Sequence, residues 1–233
     1  MNKYGIALKN VGFSFNKSSK PFFDNFTINF VQGQINFICG KNGIGKSTLL
    51  KVLSGQTDSF CHLNGLLKID DQEYSLKLSD KILEHVAMVS QNFNSMLVDN
   101  YSFYENLQFA LMPKYPSLYN LSDVQPLPAF VDKYKIVYDM PISLLSGGQR
   151  QILSILMTLQ KSPRILLLDE PTAALDEENA MIVMDFLKNL AMQENITIIA
   201  IVHHQDLVQK YANTSYFELY QKDGVRSVQT ISI

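Results

Sequence analysis

The sequence predicts an α/β fold with a parallel-stranded core around a phosphate loop, an N-terminal antiparallel β-subdomain, and an α-helical subdomain inserted between two halves of the core. Three observations lead there. The run Gly40-Lys41-Asn42-Gly43-Ile44-Gly45-Lys46-Ser47 reads G-x-x-x-x-G-K-S and lies between a strand-like and a helix-like segment. The first third of the chain alternates apolar and polar residues at a β period. Residues 92–145 break that rhythm with prolines and aromatics, after which helix and strand patterns alternate again.

Taken in order, residues 6–15 and 26–30 read as antiparallel strands. Residues 34–39 read as a buried strand, and 48–55 as a helix closed by Gly55. A strand pair is expected at 66–69 after an Asn64-Gly65 turn, then a strand at 86–89 leading to Ser90 and Gln91. In the insertion, Pro113, Pro116, Pro126, Pro128 and Pro141 punctuate helices expected near 101–111 and 130–138. Beyond it come a helix at 151–160, a strand at 165–168, a helix at 177–192 and a strand at 196–202. The long helix carries Ile182, Val183, Phe186, Leu187 and Leu190 on one face, with Asp176, Glu177 and Glu178 at its N-terminal turn. The antiparallel subdomain thus takes about 1–33 and 60–76, the core about 34–91 and 162–233, and the helical subdomain about 92–161.

Composition limits the function classes. A chain of 233 residues with 46% hydrophobic content fits one large domain with a sizeable core. Its longest apolar runs, 198–202 and 165–168, are too short to cross a bilayer. The start Met1-Asn2-Lys3-Tyr4-Gly5 has no signal-peptide core, so the expected location is cytoplasmic, with any membrane role exerted through a partner. A net charge of −2 and a pI near 6.1 give no footprint for nucleic acid. Cys39 and Cys61 lack metal-ligand spacing and predict no disulfide; Cys39 reads as a small buried apolar residue.

The motifs carry the chemistry. Glycines let successive backbone N–H groups of 40–47 converge on an anion at a helix N-terminus, where the dipole favours negative charge. Lys46 supplies a point charge for β- and γ-phosphates, and the Ser47 hydroxyl a ligand for Mg²⁺, so a nucleoside triphosphate is the expected ligand. Leu145-Ser146-Gly147-Gly148-Gln149 opens a helix and is either a second anion contact or a capped turn. The apolar run Ile165-Leu166-Leu167-Leu168 ends in Asp169 and Glu170, carboxylates suited to a metal and a water, or to capping before Pro171.

L-S-G-G-Q between a G-x-x-x-x-G-K-S loop and an L-L-L-D-E strand resembles the signature of ABC-type ATPases, and the resemblance runs from Phe15 to His203. It implies a P-loop NTPase (RecA-like) core that binds ATP and Mg²⁺. It implies nucleotide contacts from Phe15, Gly40, Asn42, Gly43, Gly45, Lys46, Ser47 and Thr48. Ser146, Gly147, Gly148 and Gln149 would reach the ATP held by a second ATPase subunit, two copies sandwiching two nucleotides head to tail. Asp169 resembles the Walker B aspartate near Mg²⁺, and Glu170 the glutamate that polarises the attacking water. Gln91 resembles the Q-loop glutamine that joins Mg²⁺ and water to the helical subdomain. Asp176 resembles the D-loop aspartate at the dimer interface and equally suits a helix N-cap. The switch histidine falls on His203, six positions after Thr197, with His204 as the alternative. Phe15 matches the ring that stacks on adenine, Phe13 on the same face is the fallback, and core packing is open to either.

The function implied is the ATPase subunit of an ABC transporter, peripheral on the inner face of the cell membrane and coupled to a separate integral membrane permease. Tyr101, Phe103, Tyr104 and Phe109 offer a groove for a permease helix. The stretch 147–154 is similar to importers fed by a substrate-binding protein, which favours import of a small solute. The alternative is a soluble ABC ATPase acting on a ribosome or DNA complex, which the charge balance disfavours.

Overall fold

The structure, a computed structural model, describes residues 4–15, 20–57, 61–76, 82, 84–112 and 123–233. Pro113, Pro116 and the first three residues, used in the sequence reading, lie outside these.

Alternation in the N-terminal third produces one-sided strands. β1 (Tyr4–Ser14) pairs antiparallel with β2 (Phe23–Val31), whose Phe23, Phe26, Ile28 and Phe30 are buried while the intervening residues are exposed. After β2 come β3 (Ile35–Cys39), the phosphate loop and α1 (Lys46–Leu53). β4 (His62–Ile69) returns along the other side of β1, and β5 (Gln72–Ser75) pairs with β4. The turn expected at Asn64-Gly65 is absent: β4 runs through both residues and reverses at Asp70-Asp71 instead. Gly65, at φ 106°, faces a register shift in β1, where a Cβ would lie 2.9 Å from the Asn10 carbonyl oxygen. The glycine serves a bulge and not a hairpin.

Strands without a polar face form the parallel core. β6 (Val86–Val89), β7 (Ile165–Asp169) and β8 (Thr197–Ile201) join β3 in parallel, in the order β3-β8-β7-β6. Leu166 and Leu168 pack into one buried cluster, Ile165 and Leu167 into another, so both sheet faces are covered. The first cluster lies against α2 (Phe103–Ala110), α3 (Gly147–Leu159), α4 (Glu177–Glu194) and α5 (Gln205–Tyr211); the second holds α1 and the antiparallel strands. The chain ends in a hairpin that the sequence reading did not anticipate: β9 (Ser215–Lys222) and β10 (Val225–Ser232) about Asp223-Gly224. β9 pairs with β3 and β10 with β2, giving a ten-stranded sheet in the order β5-β4-β1-β2-β10-β9-β3-β8-β7-β6.

The insertion is less helical than expected. Residues 130–138 form a 3₁₀ turn at Ala129–Tyr134 and no α-helix, because Pro126 and Pro128 precede it and Lys135 leaves it at φ 52°. α3 begins earlier than position 151, because Ser146 caps it and Gly147 and Gly148 fill its first turn. Among the described residues no helix is long and apolar enough to cross a membrane.

Asn36 fastens the antiparallel and parallel parts together. Buried on β3, it donates to the Val31, Gln34 and Ile198 carbonyls and accepts from the Val31 N–H. Asn36→Ala strands those groups and should lower stability by about 2–3 kcal/mol in urea denaturation. A loss below about 0.5 kcal/mol would show that water replaces the side chain at no cost.

Candidate functional site

The phosphate loop occupies the turn from the C-terminal end of β3 into α1. Two of its glycines have no room for a side chain. At Gly45, φ 112°, a Cβ would lie 2.5 Å from the Phe22 ring, and at Gly40, φ 140°, 2.7 Å from the Leu219 carbonyl oxygen. Gly45 is also the N-cap of α1 and offers no side-chain acceptor, which leaves the first-turn N–H groups for an anion. Lys46 is 6% exposed, and its Nζ donates to the Gly40 and Lys41 carbonyls at 2.8 and 3.2 Å. Burial lowers the Lys46 pKa, opposed by the negative charges of Glu170 and Asp169. Burial pushes the neighbouring Cys39 thiol up to about 11, in keeping with an inert apolar residue.

Carboxylates meet this loop from the next strands. Ser47 Oγ donates to Asp169 Oδ1 at 3.3 Å. Burial raises the Asp169 pKa, Ser47 lowers it and Glu170 raises it further. No cluster of three or more His, Cys, Asp or Glu able to hold a metal occurs among the described residues. A hydroxyl and a carboxylate suit Mg²⁺ all the same, since that ion takes few protein oxygens and fills its shell with water and phosphate. Glu170 sits at φ 55°, a left-handed conformation that residues other than glycine rarely adopt. Its Oε2 accepts from Gln91 Nε2 at 2.8 Å, and its Oε1 bonds His203 Nε2 at 2.5 Å. The carboxylate is therefore held between residues that follow β6 and β8. Of the two adjacent histidines, His203 bonds Glu170, while His204 lies exposed at the N-terminus of α5 with no capping bond from its side chain.

A cleft of about 690 Å³ is lined by Phe15 and Phe22, by Asn42, Gly43 and Gly45 through Thr48 of the loop, and by Gln91, Glu170 and His203. Phe15 is 47% exposed, with its ring edge-on to Phe13 at 4.9 Å and to Phe22 at 5.1 Å. Phe13, the fallback platform, is buried beneath both and presents no face to the cleft. Phe22 is the ring that sequence reasoning missed. It touches Gly45, and the Arg226 guanidinium stacks over it at 4.1 Å. Its signal was the Phe22-Phe23 pair at the head of a strand, where adjacent rings must face opposite ways.

The 146–149 run lines no part of that cleft. Ser146 Oγ accepts from the Gln149 N–H at 3.2 Å, and Gln149 Oε1 accepts from the Ser146 N–H at 3.0 Å. Ser146 Oγ and the Gly148 N–H both donate to Asn179 Oδ1, at 3.0 and 3.2 Å. Asp176 caps α4, accepting from the Asn179 backbone N–H at 2.8 Å and from Asn179 Nδ2 at 3.0 and 2.9 Å. Asn179 is the second residue missed, since it belongs to neither motif.

A separate cleft of about 490 Å³ opens between the insertion and the core, where Met96, Phe109 and Ala110 face Val86, Met88 and Met157. Phe103 does not line it, being fully buried on the inner face of α2, and Tyr101 and Tyr104 are exposed outside it.

Residues 23–173 match the family model described as ABC transporter. The chain is 34% identical over 226 residues to the phosphonates import ATP-binding protein PhnC of Lactococcus lactis, covering 89% of this chain and 87% of that protein. It is 32% identical to the phosphate import ATP-binding protein PstB 3 of Streptococcus pneumoniae, covering 84% and 80%. Its fold is that of cbiO1 from Clostridium perfringens, part of the ABC transporter complex cbiONQ, with a TM-score of 0.75 and 24% identity over 98% of this chain and 88% of that one.

Gly45→Ala brings a methyl into the Phe22 ring at a φ disfavoured for alanine. ATP affinity measured by calorimetry should fall at least about tenfold, about 1.4 kcal/mol, with the fold retained. Adding Phe22→Ala removes the clash and leaves the backbone strain, so the double variant should stay weak. Recovery to wild-type affinity would show that the collision alone matters.

Proposed function

This chain belongs to the ABC transporter family, and from that premise we propose how its residues bind and hydrolyse ATP to drive transport through a separate membrane permease. The observation that carries the reading is the Glu170 carboxylate, held between Gln91 and His203 in the same cleft as the phosphate loop. The N–H groups of 40–48 and Lys46 hold the phosphates, with Lys46 exchanging its carbonyl partners for phosphate oxygens. Ser47, Asp169 and Gln91 are the groups for Mg²⁺, which when bound supplies positive charge against the β- and γ-phosphate oxygens. Glu170 orients the water that attacks the γ-phosphorus as the bond to ADP breaks, Gln91 ties that water to the insertion, and His203 holds the γ-phosphoryl group. The base rests on Phe15, with Phe22 as the adjoining wall.

Because 146–149 is remote from the cleft of its own chain, a second subunit completes each site. Ser146, Gly147, Gly148 and Gln149 of one copy, with Asp176 beside them, close on the ATP of the other in a two-fold dimer. ATP then joins the subunits and hydrolysis releases them. The cleft, lined by Met88, Met96, Phe109 and Met157 together with Gln56, Glu84 and Lys161, suits a short amphipathic permease helix, since thioethers adapt to the surface they meet. That docking keeps the chain on the inner face of the cell membrane. Import of a small solute, delivered by a substrate-binding protein, is the direction supported by the phosphonate and phosphate import relatives.

Glu170→Gln should keep ATP binding and lose hydrolysis by at least about 100-fold, because the amide cannot take a proton from water. Hydrolysis at the wild-type rate would remove Glu170 from this role. Purification of the tagged chain from detergent-solubilised membranes should recover a polytopic membrane protein in stoichiometric amount. Recovery with ribosomes or DNA alone would replace the transporter reading.

A further inference from the structure

Asn179 lies on α4, three residues past its N-cap, and its side chain spends every hydrogen-bonding capacity on that cap and on a segment 31 to 33 residues upstream. The amide nitrogen donates to both carboxylate oxygens of Asp176, and the amide oxygen accepts from the Ser146 hydroxyl and the Gly148 N–H. This division admits one orientation of the amide, since a carboxylate cannot donate and a backbone N–H cannot accept. Gly148 packs so closely that a Cβ there would lie 2.7 Å from Asn179 Oδ1, and one at Gly147 would lie 2.9 Å from Leu175. The start of α3 therefore rests directly on the segment from Leu175 to Asn179.

We propose that Asn179 is a positioning residue that locks the 146–148 turn to the Asp176 loop, so that both approach the partner's nucleotide as one body. The inference rests on the shared-site dimer proposed above. Asp176 lies six residues beyond Glu170, and the intervening loop is tightened by the Ala173 N–H on the Glu170 carbonyl and the Leu175 N–H on the Thr172 carbonyl. A short, hydrogen-bonded path thus runs from the Glu170 of one site to the Ser146 that serves the other, and Asn179 is its last link. Without that link the turn keeps its own capping box but loses its register with the loop.

Asn179→Asp tests this, because the carboxylate still accepts from Ser146 and the Gly148 N–H but has no N–H to donate to Asp176, whose carboxylate it then repels. An acidic residue in the first turn is compatible with the helix, so the variant should fold. Hydrolysis by purified Asn179→Asp and Asn179→Ala should fall at least about tenfold in kcat, with the KM for ATP within about twofold of wild type, and ADP affinity, which needs only the phosphate loop, should match wild type in both. Either variant turning over at the wild-type rate, or losing ADP affinity together with activity, overturns the proposal. If wild type hydrolyses ATP as a monomer, the shared-site reading fails first and this inference with it.

Discussion

Parallel pairing of β3, β8, β7 and β6 is the constraint from which the rest of the site follows. Parallel strands end on one side, so the residues following them are neighbours however far apart they lie in sequence. Lys46 and Ser47 follow β3, Gln91 follows β6, Asp169 and Glu170 close β7, and His203 follows β8. One backbone ladder thereby brings a cation, a hydroxyl, two carboxylates, an amide and an imidazole to one end of the sheet, where Ser47 bonds Asp169 and both Gln91 and His203 bond Glu170. These groups need no long side-chain scaffold. The apolar side chains of the same strands, buried on both faces, hold the ladder in register.

The C-terminal hairpin extends that logic to the aromatic wall of the cleft. β9 and β10 lie between β3 and β2, so the antiparallel strands and the core share a single sheet. Arg226 on β10 pairs beside Phe23 on β2, and its guanidinium lies over the neighbouring Phe22. Phe22 in turn bounds Gly45 and props Phe15 at the cleft mouth. The aromatic wall of the cleft is thus built from N-terminal and C-terminal strands together. Its rings are fixed by edge-to-face contacts, each worth about 1 kcal/mol.

Local motifs were legible in the sequence because their spacing is itself the chemistry. The loop 40–47, the strand ending in Asp169 and the signature at 146–149 occupy the turns expected of them. The core strands were legible because an apolar run has one use in a chain of this size. What escaped depends on contacts between distant residues. Asn64-Gly65 has the composition of a turn, yet it lies opposite a bulge in β1 that only the paired structure reveals. Residues 130–138 have a helical pattern that the prolines before them and the left-handed Lys135 cut short. Asp223-Gly224 was a readable hairpin signal, but its placement between β2 and β3 was not. Phe22 and Asn179 sit outside any motif, and each matters through what it touches.

Glu170 shows how two surfaces far apart on one chain can be mechanically connected. Its left-handed backbone is a local cost of order 1–3 kcal/mol that the surrounding structure must offset. Gln91 and His203 hold the carboxylate from either side, and the turn through Ala173 and Leu175 holds the backbone that follows. A residue fixed from both directions cannot shift without moving something else. Upstream it would disturb Gln91 and with it the insertion that bears the apolar cleft. Downstream it would disturb Asp176 and, through Asn179, the start of α3. One carboxylate is therefore linked to the surface proposed for a membrane partner and to the surface proposed for a second copy. Loss of the γ-phosphate beside it can reach both through contacts a few ångströms long.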